Sequence, residues 1–334
     1  MKHKGYGIDI GTKNIKIYKE GQEVLVAQKN VLAMKESGEI IAMGDEAFSM
    51  CEKTPENIFV TFPMRHGVIA DFTKMQEILR SFVTKEIKGG NGAKDVYVAV
   101  PTNITEVEKR AFSELIENAK IRAKHIHTVE KPIAAALGAG LDIKKPGGVM
   151  LIDFGADTTE ISILSLGGIV VSRLLPIGGN KLDEDIVSLV KKESNVIIGN
   201  KTAEESKIRL ASAIPGAAEE ELVVKGRYLV TGLPTTVTLT REFVHRAIAD
   251  DLKVIMEAIK IILERTPPEI SSDIFDHGIY VTGGGSKIHN LDLLIKEQTT
   301  LRANLYDHPE DCVIYGLGRI MEEENLRDLA FSNK

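Results

Sequence analysis

Two short stretches of this 334-residue chain repeat one pattern. The first, "YGIDIGTKNIKIY", occupies residues 6–18, and the second, "LIDFGADTTEISIL", occupies residues 151–164. Ile8-Asp9-Ile10-Gly11 aligns with Ile152-Asp153-Phe154-Gly155 at a constant offset of 144 positions, and the second turn is one residue longer. Each stretch alternates apolar residues, breaks at a glycine with a short polar turn, and then resumes the alternation, as β-hairpins do. The sequence therefore predicts two equivalent β-hairpins in a duplicated chain.

The bulk composition favours a soluble globular protein of two domains. Hydrophobic residues make up 43% and charged residues 27% of the chain, and the net charge is −6. An acidic balance gives no electrostatic footprint for nucleic acid. Cys51 and Cys312 lack metal-binding spacing and are expected to be reduced thiols. No apolar run is long enough to cross a bilayer, and the start of the chain leads directly into a strand pattern, so we expect a cytoplasmic protein.

The order of elements also predicts a duplication. A group of strands is followed by alternating helices and strands, and this order occurs twice, which indicates an α/β fold with a cleft between two halves. The predicted helices cover residues 72–88, 105–120, 181–194, 202–213 and 241–265, and a hairpin region covers residues 221–240.

Both hairpin turns have the composition of a phosphate site. A turn with glycine and hydroxyl residues can present backbone N–H groups as a concave nest for phosphate oxygens. Asp9 and Asp153 end the strand beside each turn, where a carboxylate can hold Mg²⁺ directly or through water. For either hairpin alone, an ordinary β-turn aspartate would be the simpler interpretation. The matching pair favours phosphate binding.

Two further segments are weaker signals. In "VTGGGSKI" (281–288), three glycines between a strand and a helix let the backbone approach a ligand, although they also fit a simple helix-entry loop. In "TAEESKI" (202–208), Glu204 and Lys207 share one helix face. Such a pair can hydrogen-bond a ribose or form a solvated ion pair.

Together these segments resemble the actin/heat-shock chaperone/sugar kinase ATPase superfamily, and within it the MreB/Mbl bacterial actins. The resemblance runs almost from end to end, and "LERTPPE" and "GVIADF" point to the bacterial actins rather than to chaperones or kinases. The stretches that carry it are "GIDIGTKN" (7–14), "GVIADF" (67–72), "PTNIT" (101–105), "KPIAAALGAG" (131–140), "IDFGADTTEISILSLGGIV" (152–170), "IGNKTAEESKI" (198–208), "GLPTTVTL" (232–239), "LERTPPEISSDIFDHGI" (263–279), "TGGGS" (282–286) and "DCVIYGLG" (311–318).

The resemblance implies a duplicated actin-like (RNase H-like) α/β ATPase fold, with two lobes and four subdomains around a nucleotide cleft. The first lobe would comprise residues 1–145 and 306–334, with a small subdomain near 30–65. The second would comprise residues 146–305, with a small subdomain near 181–242. It also implies cytoplasmic filaments that act in cell shape and wall growth.

The resemblance further implies ATP and Mg²⁺ as ligands. The metal would be served by Asp9 and Asp153, and the ribose by the helix segment that contains Glu204, Glu205, Ser206 and Lys207. Motif matching assigns the phosphates to Thr12, Lys13, Asn14, Gly155, Ala156, Asp157 and Thr158, and the adenosine side to Gly283, Gly284, Gly285 and Ser286.

The sequence departs from the family where hydrolysis would occur. Family members carry two glutamates before the proline of "VEKPIAAA", and the second positions the attacking water; here Glu130 stays and Lys131 takes the second place. An ammonium group has no lone pair to accept a proton from water. Thr158 remains, whereas Asp157 puts a carboxylate near the terminal phosphate. We therefore predict impaired hydrolysis, with Glu130, Lys131 and Thr158 as the catalytic positions.

Several alternatives stay open from the sequence. The chain could be a fully active filament ATPase in which Glu130 or Thr158 compensates for Lys131, or a non-polymerising scaffold that modulates a related filament protein. Lys13 or Lys131 could pair with Asp157 as a latch that favours a closed cleft. Alternatively, these side chains point into solvent and the backbone binds ATP normally.

Direct membrane binding is predicted to be weak. The loop that family members use for the bilayer corresponds here to "KGGNGAKD" (88–95), which is polar and glycine-rich. Self-association is the main expected interaction. Related bacterial actins or membrane-bound cell-shape proteins are further candidate partners, and no nucleic acid is expected.

Overall fold

A computed structural model describes residues 5–22, 24–86, 95–119, 121 and 123–333 of the chain. The chain divides into two compact units, and each is described by itself. The first unit comprises Met1–Gly147, Leu164–Ser172 and Glu310–Lys334, and the second comprises Gly148–Ile163 and Arg173–Pro309. The proposed small subdomains stay a prediction. The loop for which membrane binding was predicted to be weak lies, except for Asp95, outside the described residues.

Strands and helices alternate along most of the described chain. The strands are β1 (Tyr6–Ile10), β2 (Asn14–Lys19), β3 (Val24–Lys29), β4 (Leu32–Lys35), β5 (Ile40–Met43), β6 (Ile58–Thr61), β7 (Met64–Arg65), β8 (Val68–Ile69), β9 (Asp95–Val100), β10 (His125–Glu130), β11 (Val149–Phe154), β12 (Thr159–Ser165), β13 (Gly168–Leu175), β14 (Val196–Ile197), β15 (Glu221–Tyr228), β16 (Pro234–Thr240), β17 (Ile279–Thr282), β18 (Ala303–Asn304) and β19 (Phe331–Asn333). The helices are α1 (Asp45–Ser49), α2 (Phe72–Glu86), α3 (Glu106–Asn118), α4 (Lys131–Gly138), α5 (Gly179–Ser194), α6 (Asn200–Leu210), α7 (Arg241–Glu264), α8 (Pro268–His277), α9 (Leu291–Thr299) and α10 (Cys312–Glu322). Short 3-10 turns cover Gly284–Lys287, Pro309–Asp311 and Glu324–Leu329.

The main sheet of the first unit has the strand order β19-β10-β9-β1-β2-β3. β1 pairs with β2 in antiparallel fashion and with β9 in parallel fashion, so it lies in the interior of the sheet. All residues of β1 are buried, as expected for a strand covered on both faces. Apolar residues of α2 and α3, such as Leu79 and Phe112, pack into the same core as Ile8 and Ile10.

The close packing of α4 against α10 fixes the start of α4 in the first unit. A Cβ atom on Gly138 would lie 1.7 Å from the Cys312 carbonyl oxygen, and one on Gly316 would lie 1.7 Å from the Ala134 carbonyl oxygen. The small residues therefore allow the two backbones to touch. Lys131 is the first residue of α4, so its place at the end of β10 is set by this packing.

The second unit repeats the arrangement of the first. Its main sheet has the order β13-β12-β11-β17-β18, with β11 parallel to β17 and β17 parallel to β18. β11 thus corresponds to β1, and β17 corresponds to β9. The outer ends of β12 and β13, residues 164–172, are counted with the first unit. The predicted duplicated α/β fold is confirmed.

Most predicted helices occur within a few residues of their expected bounds, whereas α1, α8 and α10 were not predicted. The proline pair that follows α7, Pro267 and Pro268, is typical of a helix stop. α7 does end at Glu264, yet Pro268 begins α8. Proline is well tolerated at the first position of a helix because that position needs no N–H donor. Among the described residues, no helix combines the length and the apolar character needed to cross a lipid bilayer.

Candidate functional site

The first predicted phosphate turn joins β1 to β2. Its closing hydrogen bond runs from the Gly11 N–H to the Asn14 carbonyl at 2.9 Å. Asn30, which is fully buried, donates its backbone N–H to the Lys13 carbonyl and its side-chain N–H to the Gly11 carbonyl, both at 2.9 Å. Two carbonyl groups of the turn are therefore directed at one buried asparagine, which fixes the conformation of the segment that contains Thr12.

The second predicted phosphate turn, between β11 and β12, is closed by the same bond. The Gly155 N–H donates to the Thr158 carbonyl at 2.8 Å. By strand bounds this turn is one residue longer than the first, yet the closing bond spans the same number of positions. Asn180 donates its backbone N–H to the Ala156 carbonyl at 2.7 Å and its side-chain N–H to Asp157 Oδ1 at 2.6 Å. Each turn is thus held by one asparagine.

The N-terminus of α5 packs tightly on the second turn. A Cβ atom on Gly178 would lie 2.6 Å from the backbone of Ala156 and Asp157, so only glycine fits there. The Gly179 N–H donates to the Gly155 carbonyl at 3.0 Å. The second turn therefore lies beside the partial positive charge of a helix N-terminus, which favours an anionic ligand.

The predicted ribose segment lies on α6, but its lysine has partners on α5. Lys207 Nζ lies 2.7 Å from Asp183 Oδ1 and donates to the Gly179 carbonyl at 2.6 Å. Ser206 is buried and donates to the Thr202 carbonyl within its own helix, whereas Glu205 is exposed and Glu204 is half-buried. Lys207 therefore ties α6 to the first turn of α5, beside the second phosphate turn.

The predicted adenosine segment packs on the end of β11. A Cβ atom on Gly285 would lie 2.3 Å from the Phe154 ring, and one on Gly283 would lie 2.4 Å from the Phe154 carbonyl oxygen. Ser286 donates to the Gly283 carbonyl at 2.7 Å and is buried. Only Gly284 of the three glycines has open space around it. Two of these glycines thus have a packing role, and Gly284 is the position open to a ligand.

Asp153, one of the two predicted metal carboxylates, lies at the end of β11 in the second unit. Its Oδ1 accepts a hydrogen bond from the Thr282 hydroxyl at 3.1 Å. Thr282 is its register partner on β17, so the sheet itself orients the carboxylate. An oriented, half-buried carboxylate suits a hydrated Mg²⁺ ion, which takes oxygen ligands and keeps several waters.

Asp9, the other predicted metal carboxylate, lies in the first unit beside Lys131. Lys131 Nζ is 3.4 Å from Asp9 Oδ1 and donates to the Ile10 carbonyl at 3.4 Å. Asp9 Oδ1 is buried and accepts no hydrogen bond within the described residues. The ammonium group at the predicted water-positioning place is therefore directed at the end of β1 and faces the metal carboxylate.

A second lysine lies on the strand next to Asp9, and it is not among the predicted site residues. Lys16 on β2 is the register partner of Asp9, and it is buried. Its Nζ lies 2.7 Å from Asp311 Oδ1 and donates to the Glu310 carbonyl. Lys16 alternates with the apolar Ile15 and Ile17, so the pattern places it on the opposite face of β2 and does not signal its burial.

Glu130, the remaining predicted catalytic position in the first unit, ends β10 directly before Lys131. Burial raises the pKa of its carboxyl group, and the charge of Lys109 opposes part of that rise. A carboxylate whose pKa moves towards neutrality has the property of a general base. Thr158 lies in the second phosphate turn, in the other unit.

The side chains of the proposed latch each have a partner in their own unit. Lys131 faces Asp9, Asp157 accepts from Asn180, and Lys13 Nζ lies 6.0 Å from the centre of the Phe48 ring. The latch itself concerns the two units together and stays a prediction.

The matches to known proteins cover nearly the whole chain. The family model described as MreB/Mbl protein matches residues 3–328. The chain is 40% identical over 318 residues to the cell shape-determining protein Mbl of Bacillus subtilis strain 168, and the match covers 95% of each chain.

The fold is similar to solved structures over nearly its full length. MreB5 of Spiroplasma citri, solved with ADP and with AMPPNP, is 32% identical, with a TM-score of 0.92 and 98% of each chain covered. The MamK double helical filament is 21% identical, with a TM-score of 0.81 over 96% of this chain and 99% of that chain. At that identity, MamK shows the fold alone. The actin-like fold predicted from the sequence is confirmed.

Proposed function

This chain belongs to the MreB/Mbl protein family, and we propose that it is an actin-like cytoskeletal protein that binds ATP and forms filaments. Its proposed role is the organisation of cell shape and wall growth. The observation that carries the proposal is the pair of matching turns at Gly11–Asn14 and Gly155–Thr158, each closed by the same hydrogen bond and held by an asparagine. The solved relative MreB5 was crystallised with ADP and AMPPNP, and the B. subtilis relative carries the name of a cell shape-determining protein.

The nucleotide would be bound through backbone groups at both turns. The first turn supplies Thr12, Lys13 and Asn14, and the second supplies Gly155 to Thr158 beside the N-terminus of α5. A helix N-terminus and a turn of backbone N–H groups together form a strong anion site. On the adenosine side, Gly284 is the open position of the glycine turn, and Lys207 of the ribose segment is held by the Gly179 carbonyl at the start of α5.

Mg²⁺ is the metal ion that we propose binds together with the nucleotide. When bound, it screens the phosphate charge and polarises the terminal phosphoryl group. Asp153 fits this ion, because it is an oriented carboxylate at the strand end beside the second turn. Asp9 fits it less well, because the Lys131 ammonium group already faces its buried oxygen.

Weak hydrolysis is the finer part of the proposal. The residue that would position the attacking water is Lys131, whose ammonium group contacts Asp9 and the Ile10 carbonyl. Loss of a positioned base costs about 10²–10⁴ in rate. A fully active filament ATPase is the second candidate, and the raised pKa of Glu130 favours it, because that carboxylate could act as the base instead.

Phosphate release distinguishes these two candidates. Purified protein, Lys131→Glu and the matched control Lys124→Glu would be assayed with ATP and Mg²⁺. Lys124 is an exposed lysine of the same unit, and it lies at the opposite end of β10 from Lys131. We expect Lys131→Glu to release phosphate at least about 10²-fold faster than the other two proteins. Equal rates in all three would contradict the assignment of Lys131 and support the active ATPase.

Electron microscopy tests assembly separately. We expect filaments of the natural protein in the presence of ATP or AMPPNP, and the same filaments from Lys124→Glu. Nucleotide binding without filaments, at concentrations where relatives assemble, would instead support the scaffold that modulates a related filament protein.

A further inference from the structure

The position of Lys131 affects the binding of a metal ion at Asp9 as well as the positioning of the attacking water. Its Nζ lies 3.4 Å from both Asp9 Oδ1 and the Ile10 carbonyl oxygen, at the point where β1 enters the first phosphate turn. The side chains of Lys131 and Asp9 are only 14% and 12% exposed. Water therefore screens this contact less than it would screen a surface ion pair.

The length of the contact between Lys131 Nζ and Asp9 Oδ1 indicates how the two groups interact. A charge-assisted hydrogen bond between ammonium and carboxylate spans about 2.7–2.9 Å, whereas this contact is longer and Asp9 Oδ1 accepts no hydrogen bond from the part of the chain that the structure describes. The ammonium group thus neutralises the carboxylate through space and simultaneously holds the backbone carbonyl of Ile10. The Lys131 ammonium group is thus directed at the carboxylate that would help to hold a hydrated metal ion in the first unit.

Asp9 and Asp311 each face a lysine, so both carboxylates have a counter-charge without a metal, although the Glu310 carboxylate lies within 4.8 Å of that of Asp311. Asp9 and Asp311 contribute two negative charges, and Lys131 and Lys16 contribute two positive charges through contacts of 3.4 Å and 2.7 Å. With glutamate at position 131, as in the family pattern, the same group would carry two net negative charges and would attract a divalent cation. A buried carboxylate without a counter-ion is costly, so such a group would require the metal.

We infer that Lys131 takes over part of the role of the divalent cation at Asp9, so that nucleotide binding by this chain depends less on Mg²⁺ than the family pattern implies. The inference rests on the proposed nucleotide binding. Lys131 acts here as a positioning residue: it neutralises Asp9 and adds positive charge beside the phosphates bound at the first turn. Asp153 remains available to Mg²⁺, so the metal strengthens binding without being required for it.

The test measures nucleotide affinity with and without the metal. Binding of a fluorescent ATP analogue is followed by anisotropy in excess Mg²⁺ and in excess EDTA, for the natural protein, Lys131→Gln, Lys131→Glu and the control Lys124→Glu. We expect the dissociation constant of the natural protein and of the control to rise less than about 10-fold in EDTA. For Lys131→Glu it should rise about 100-fold or more, and Lys131→Gln should lie between, since glutamine removes the positive charge and glutamate adds a negative one.

A second measurement does not depend on affinity for the nucleotide. Mn²⁺ bound to the saturated ATP complex is counted by electron paramagnetic resonance, and we expect Lys131→Glu to hold Mn²⁺ more tightly than the natural protein. Thermal melting of each variant establishes that it is folded, and Lys131→Gln, which keeps a similar volume, serves if Lys131→Glu does not fold.

Two outcomes overturn the inference in different ways. If the natural protein loses as much affinity in EDTA as Lys131→Glu, or holds Mn²⁺ as tightly, Lys131 does not replace the cation, while the proposed ATP binding stands. If the natural protein and the control bind no nucleotide in either condition, the proposed function fails and the inference fails with it.

Discussion

The first phosphate turn, Gly11–Asn14, and the second, Gly155–Thr158, share a backbone and differ in their surroundings. Both are closed by the same hydrogen bond, and both are held by one asparagine. The first turn has lysines around it: Lys13 in the turn, Lys16 on the next strand and Lys131 at the start of α4. The second turn contains Asp157 and abuts the N-terminus of a helix. The two turns therefore share their main-chain geometry and differ in the charge around them.

The two turns are also supported in different ways. A buried side chain, that of Asn30, supports the first, whereas close backbone packing at Gly178 supports the second. Asn180, the counterpart of Asn30, is only half-buried. The first turn should therefore be sensitive to loss of polar contacts, and the second to added volume.

The largest effect is expected from Gly178→Ala, which tests the packing of the second turn. The new methyl group would overlap the backbone of Ala156 and Asp157, and neither can move without shifting α5. We expect a loss of about 3 kcal/mol or more in the free energy of unfolding, measured by urea denaturation. Gly284→Ala is the matched control, because its methyl group meets no atom within 4 Å, and it should be close to neutral. Similar losses for both variants would show that the close approach is not responsible.

The second prediction compares the two asparagines directly. Asn30→Ala removes the side-chain donor of a fully buried asparagine from the Gly11 carbonyl, and we expect a loss of about 2 kcal/mol. Asn180→Ala removes a half-buried bond to Asp157 and should cost about 1 kcal/mol or less. Both are measured by urea denaturation without nucleotide. A larger loss for Asn180→Ala would reverse the proposed difference between the turns.

The third prediction concerns pH and the helix that supports the second turn. Burial, followed by a hydrogen bond to Asp185 on α5, raises the pKa of Asp251 to about 6. Folding therefore favours the protonated form, and this contribution is complete at low pH and is lost as the pH rises through about 6.

Asp251→Asn mimics the protonated acid and should remove the loss of stability that accompanies ionisation of Asp251. Above pH 7 we expect the variant to be more stable than the natural protein by about 1 kcal/mol, less than the full pKa difference implies, because Lys181 and solvent screen the pair. Below pH 4 the gain should disappear. Thermal melting across this range provides the measurement. Glu257→Gln, at an exposed position of the same helix, serves as the control. A gain that does not change with pH would contradict the assignment.

The smallest effect is expected at Lys13. Its ammonium group lies 6.0 Å from the Phe48 ring centre, at the outer limit of a cation–π contact, and Lys29 lies closer at 5.2 Å. We expect Lys13→Ala to change the free energy of unfolding by less than about 0.5 kcal/mol, and Lys29→Ala by up to about 1 kcal/mol. A loss at Lys13 larger than that at Lys29 would contradict this ranking of the two contacts.

Much of the fold was predictable because it depends on local patterns. The alternation around Asp9 and Asp153 identified both hairpins, and the apolar spacing of α2 and α7 identified those helices within a few residues. α8 was missed because proline marks both the end of one helix and the start of the next. The sequence also selected Lys131, because its place in the family motif made the charge change visible.

What the sequence determined by itself is the duplicated fold, the family and the segments that form the two turns, because strand alternation, turn glycines and motif spacing are local properties of the chain. The tertiary structure decided the partners of the charged side chains. Asn30 is distant in sequence from Gly11, Lys131 from Asp9, and Lys16 from Asp311, and each pair meets only because the sheet order and the packing of α4 against α10 bring them together. A lysine at position 131 predicts a lost base, and only its 3.4 Å contact with Asp9 indicates what the ammonium group does instead.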